Sequence, residues 1–293
     1  MPPIVARTIV CAALLATPVL VLAQGSILPQ QRDAAGNVME PLGQVLVADE
    51  TGPAGLYDCT LDRAWCVRVQ PVTEDGDRPT VLEVLEKVPG QGTPHTYHVS
   101  IDVPQESDLK LWPWIVRLAP GVGSDEPVTD PQQRARQNVL VGGIVSFSSM
   151  YSGGGADAST LQLARVRHLQ DDIQVDDDVL TVPWLGSAMI RACFSEQDIK
   201  QRAGACHDEH GFSAKLGLET AAEGMPVLRY QTVATRFPAS VSRFEDSLAK
   251  GPLKKDLRTE QDPACSYTRL FRFSDGVFHP DQALPDCAGY TEP

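Results

Sequence analysis

Seven cysteines occur in the chain, and six of them fall into three near-neighbour pairs: Cys59 with Cys66, Cys193 with Cys206, and Cys265 with Cys287. Pairs spaced this way close short local loops. In the chain-entropy view a closed loop of about 15 residues contributes ~3 kcal/mol. A chain of 293 residues can bury a core without staples. The bridges are therefore expected to pin loops of a fold that packs on its own. The seventh cysteine, Cys11, lies in an apolar leader with one charge, Arg7. Val21 and Ala23 are the small residues a signal peptidase needs, so residues 1–23 read as a signal peptide. The leader is interrupted by Pro18 and is shorter than the roughly 20 residues a spanning helix needs. Export places the chain, in periplasm or external medium, where thiols oxidise, and an even cysteine count then reads as disulfides.

Loss of Arg7 with the leader takes the formal charge from −13 to −14. Such a balance repels phosphate backbones and anionic lipid, which excludes nucleic acid as a partner. No later segment is apolar enough to span a membrane, so no membrane insertion is expected after cleavage. Aromatic residues make up 6% of the chain, too few for the paired girdles of an outer-membrane barrel.

Residues 24–42 are polar without a period and read as a flexible lead-in to one β-rich domain over 43–293. Short runs rich in β-branched and aromatic residues occupy 64–69, 81–86, 96–101, 111–118, 138–148, 160–168, 179–185, 188–194, 212–219, 227–237 and 266–273. Asp75-Gly76, Pro89-Gly90 and Pro120-Gly121 separate the early ones, and a charged, proline-bearing loop near 123–137 marks a candidate subdivision. Asp275-Gly276 is a two-residue hairpin signature, with Cys265 and Cys287 flanking it. Ser195 followed by Asp198 caps a short helix to Arg202, bracketed by Cys193 and Cys206. A second short helix is expected near 244–250. No fixed-period repeat supports a propeller. The expected fold is all-β, mainly antiparallel and β-sandwich-like, as one unit or two packed β units, with a short disulfide-closed helical insert.

Candidate sites are few. His207-Asp208-Glu209-His210 is the densest group of metal-ligating side chains, with His207, Asp208 and His210 as candidate ligands. Gly204 and Gly211 bound it, which favours a solvated polar loop over a helix carrying both histidines. Tyr151-Ser152-Gly153-Gly154-Gly155 lacks the first glycine of a nucleophile elbow and the lysine of a phosphate loop. It reads as a positive-φ turn, with Tyr151, Ser152, Gly153 and Gly154 as candidate ligand contacts. Trp112 and Trp114 stand two apart and could form a stacking platform. Their apolar neighbours favour core packing, and Pro113 favours an edge or bulge. Asp171-Asp172 and Asp176-Asp177-Asp178 lack the spacing of a calcium loop and read as a solvated hairpin turn. Ser247-Leu248-Ala249-Lys250 matches Ser-x-x-Lys, but the later motifs of penicillin-recognising enzymes are missing. No mature cysteine is left over for thiol chemistry.

These features support no cofactor and no identifiable catalytic motif. The expected object is an exported, acidic, monomeric β-rich binding or structural module. Its partner would be a glycan, a peptide or another envelope protein. Two rivals remain: a secreted β-sandwich hydrolase using carboxylates or the His207/His210 segment, and an envelope assembly component using a sheet edge.

Overall fold

The computed structural model describes residues 30–47, 55–70, 80–87, 93–122, 137–168 and 173–293. The leader with Cys11, the turns at Asp75-Gly76 and Pro89-Gly90, residues 123–136 of the proposed boundary loop, and Asp171-Asp172 lie outside the described residues.

Strands dominate. In chain order they are β1 (Gln31–Arg32), β2 (Val38–Pro41), β3 (Gly43–Val47), β4 (Gly55–Cys59), β5 (Trp65–Val69), β6 (Val81–Glu86), β7 (His95–Ser100), β8 (Asp108–Leu111) and β9 (Trp114–Arg117). Three long strands follow: β10 (Val139–Tyr151), β11 (Gly154–His168) and β12 (Ile173–Arg191). After helix α1 (Glu196–Gln201) come β13 (His207–Glu219), β14 (Val227–Phe237), β15 (Glu260–Gln261), β16 (Thr268–Ser274), β17 (Val277–Pro280) and helix α2 (Ala288–Thr291). The pairings are antiparallel. A five-stranded sheet runs β3-β4-β5-β6-β7, and a larger one runs β1-β2-β9-β10-β11-β12-β13-β14-β16-β17. In the larger sheet β8 pairs with β10, and β15 with β14.

The two sheets pack face to face. Val67, Leu82, Val84 and Val99 of the small sheet meet Val139, Val141, Val145, Ala164 and Val166 of the large one. The opposite face of the same long strands enters a second core with Trp112, Leu140, Leu161, Leu163, Leu228, Tyr230 and Phe271. Residues 139–141 therefore bury both faces, which is why that run is continuously apolar rather than alternating. The terminal hairpin folds back over this core, placing the Arg165 guanidinium 4.7 Å from the centre of the Phe273 ring.

All three cysteine pairs are bridged as expected. Cys59 and Cys66 are direct cross-strand partners. Cys193 and Cys206 close the helical insert, whose Ser195 and Asp198 form a reciprocal capping box. Cys265 and Cys287 clamp the base of the terminal hairpin. Both of its turn residues take positive φ, Asp275 at 52° and Gly276 at 88°.

Several expectations need correction. The lead-in is folded from Gln31: β1 and β2 join the large sheet, and Met39 is 1% exposed within the second core. Its strands are too short to show a period. The run at 179–185 and residues 188–191 belong to one strand, β12, carried through by a register shift opposite Ser159/Thr160, while 192–194 lie past its end. Residues 207–210 form the start of β13 rather than a loop. Residues 244–250 make turns instead of a helix, with Asp246 accepting from the Leu248 amide through its side chain and from Ala249 through its carbonyl. Asp176 sits within β12 and binds Arg165 and Arg167, rather than occupying a solvated turn.

Candidate functional site

Beyond Val145 the outer face of the long strands becomes mixed, with Ser146, Ser148, Asp157, Ser159 and Ser187 interspersed with exposed Met150, Leu185 and Met189. Antiparallel register then carries alternate residues into rows across one outer face. Ser148 lies opposite Asp157, Asp157 opposite Ser187, Ser187 opposite Gly211, and Gly211 opposite Thr235. The neighbouring rows run Ser146, Ser159, Leu185, Ser213, Val233 and Met150, Gly155, Met189, Glu209, Phe237.

An open groove of about 500 Å³ lies over these rows, lined from the β8 side by Glu106, Asp108 and Lys110 and along the rows by Ser148, Asp157 and Ser187, with Phe147, Leu185 and Phe212 supplying apolar surface. The Ser187 hydroxyl donates to Asp157 at 3.3 Å, and Ser159 Oγ accepts from the Leu185 amide at 3.1 Å. A second depression of about 400 Å³ is lined in part by Ser213 and Val233 of the same rows. Hydroxyls, carboxylates and an ammonium around an open trough can bind a polar ligand without enclosing it.

Two of the titratable groups displaced furthest from their ordinary values lie behind the sheet. His210 is 5% exposed and its ring stacks edge-on against Tyr290 of α2, with centroids 5.7 Å apart. Burial, joined by the positive charges of Arg243 and Arg236, pushes its imidazole down to about 4. Its Nε2 is buried without a hydrogen-bond partner. Tyr290 donates to Asp262 at 2.9 Å, and burial followed by that hydrogen bond pushes its phenol up to about 12. Asp262 and Glu260 in turn face Arg236. On the same side Asp208 is held by Arg202 and by the Ser247 hydroxyl.

The proposed ligand residues scatter accordingly. His207 is exposed on one face of β13, while Asp208 and His210 are buried on the other, so strand geometry separates the two histidines. Asp208 is already engaged by Arg202 and Ser247. Among the described residues no three His, Cys, Asp or Glu side chains are grouped to hold a metal ion. Trp112 is fully buried, and Trp114 packs against the same core, so these indoles form no surface platform.

Tyr151, Ser152, Gly153 and Gly154 do form a tight turn, joining β10 to β11 at the end of the groove. Gly153 takes φ 116°, and a Cβ on Gly154 would lie 1.9 Å from the Met189 carbonyl oxygen. The Tyr151 hydroxyl donates toward the carbonyls of Gly155 and Met189, each at 3.3 Å.

Asp108, Ser148, Asp157 and Ser187 are not singled out by motif or spacing in the sequence. Ser146 with Ser148 and Asp157 with Ser159 alternate within their strands, whereas Asp108 and Ser187 carry no such local signal. Compared with protein-family models, curated proteins and solved structures, the chain matches none.

Proposed function

We propose that the protein is an exported binding module that captures a polar ligand in the outer-face groove over β10, β11 and β12. The observation that carries this reading is the groove itself. It is open, lined by hydroxyls, carboxylates and the Lys110 ammonium together with Phe147, Leu185 and Phe212, and built on the long strands that also form both cores. A rigid scaffold presenting polar groups at strand ends is a common arrangement for recognition.

Three disulfides and the leader-like first 23 residues support maturation in an oxidising compartment outside the cytoplasm. No helix among the described residues is long and apolar enough to cross a membrane. A hydrolase centred on His207 and His210 has less support, because the two rings lie on opposite faces of one strand.

Amide shift mapping with two probes, a casein digest of short peptides and a mixture of linear oligosaccharides, tests the proposal. Perturbations clustered on residues 146–148, 156–159 and 185–187 are expected with one of them, and Asp157→Ala should weaken them. Shifts confined to the His210 and Tyr290 side, or none with either probe, would sink it.

A further inference from the structure

The groove is bordered by a strand edge that is open among the described residues. Strand β9 covers the outer edge of β10 at 139–140 and β8 covers it at 143–146. The chain enters β8 after Glu106, which turns at φ 66°. Among the described residues no strand covers the outer edge at 147–151. The two-residue turn makes Tyr151 and Gly154 a hydrogen-bonded pair. Ladder bonds alternate along an antiparallel strand, so Ser148 and Met150 direct their backbone N–H and C=O outward.

Edges left open in native proteins are usually blunted by charge, proline or a bulge. Residues Phe147, Ser148, Ser149, Met150 and Tyr151 carry no charge and no proline, and their register with β11 has no shift. Met150 is 85% exposed. The open lane continues that of β8 and spans about 17 Å for five residues. Its groove side borders Glu106, Asp108 and Asp157, three carboxylates against the lone ammonium of Lys110 among the groove-lining side chains.

We propose that an extended basic peptide binds here as an added strand, pairing with the 147–151 edge and laying alternate lysine or arginine side chains into the acidic groove. This rests on the outer-face groove being the binding site. Main-chain pairing would supply affinity, and the carboxylates would select charge at every second position. A second copy of this chain fits less well. Its own 147–151 segment has no cation to offer, and each chain carries a formal charge of −13.

The test uses a fluorescent nine-residue peptide alternating valine and lysine, its glutamate analogue, and a version N-methylated at every second amide. Fluorescence anisotropy should show the lysine peptide binding at least about tenfold more tightly than either relative. Met150→Pro removes an outward N–H without breaking a bond to β11 and should weaken binding by about tenfold or more. Asp157→Asn should weaken it by a smaller factor. If Met150→Pro misfolds by circular dichroism, the N-methylated peptide alone decides the edge. Sensitivity to Asp157→Asn without sensitivity to Met150→Pro or N-methylation would overturn strand addition and leave the groove standing. Indifference to all three would overturn both. Dimers dissolved by Met150→Pro, with no peptide bound, would assign the edge to a second copy and overturn the proposal.

Discussion

Arg202 and Asp208 form an ion pair in which each side chain is 1% exposed. Arg202 follows α1, Asp208 is the second residue of β13, and the Cys193–Cys206 bridge closes the insert at its base. Arg202 also donates to the Ala205 carbonyl at 2.8 Å and to the Ser247 carbonyl, while the Ser247 hydroxyl donates to Asp208. The pair thus ties the insert, the start of β13 and the 244–250 turns together.

Removing one partner leaves the other charge buried. Asp208→Ala is expected to cost about 3–5 kcal/mol, and Ser247→Ala about 2 kcal/mol for one hydrogen bond to a charged acceptor. Urea unfolding of each variant checks this. Equal, sub-kilocalorie losses would mean that water reaches the pair.

Histidine 210 predicts a pH dependence. Its folded pKa of about 4 lies below the ordinary value of 6.5. The unfolded chain therefore takes the proton first. The contribution of His210 to stability is complete above pH 6.5 and is lost as pH falls toward 4. The gap between wild type and His210→Phe in unfolding free energy should shift in that window, by less than about 3 kcal/mol because solvent screens part of the effect. A gap that stays constant from about pH 7 to pH 4 contradicts the burial argument.

Helix α2 reaches the sheet across a glycine. A Cβ on Gly186 would stand 1.9 Å from the Tyr290 carbonyl oxygen. Gly186→Ala should cost about 1–3 kcal/mol and displace α2, seen as altered Tyr290 signals in near-ultraviolet circular dichroism. Gly224→Ala is the control for strain without contact, since Gly224 has φ 76° and a methyl added there would meet nothing within 4 Å. It should leave the Tyr290 signal in place.

The bridges should differ in worth with loop length. Separations of 7, 13 and 22 residues correspond to about 2, 3 and 3 kcal/mol in the chain-entropy model. Replacing Cys59 and Cys66 together with alanine should therefore lower the melting temperature least. A larger loss there than at Cys265 and Cys287 would show that strain or packing outweighs loop entropy.

Much of the local structure is legible in the chain. Asp275-Gly276 announces a hairpin because both residues tolerate positive φ, and Ser195 with Asp198 announces a helix start because their spacing matches the reciprocal cap. The doubly buried run at 139–141 is readable as a strand, though not as one shared by two cores. Met39 gives no sign of its burial because a four-residue strand has no measurable period. The His207 to His210 segment reads as a loop because its polar side chains hide a strand whose buried face is held by Arg202, Ser247 and Tyr290.

The sequence by itself determined the β-rich class, the three local bridges and the two turn-and-cap motifs, since each depends on backbone preferences or loop closure over a few residues. The tertiary structure decided that Ser148, Asp157, Ser187 and Asp108 share one groove and that His207 and His210 part company. The physical reason is register: side chains on paired strands share a face through alternation across the ladder, and a slip of one residue would send each row to the opposite side.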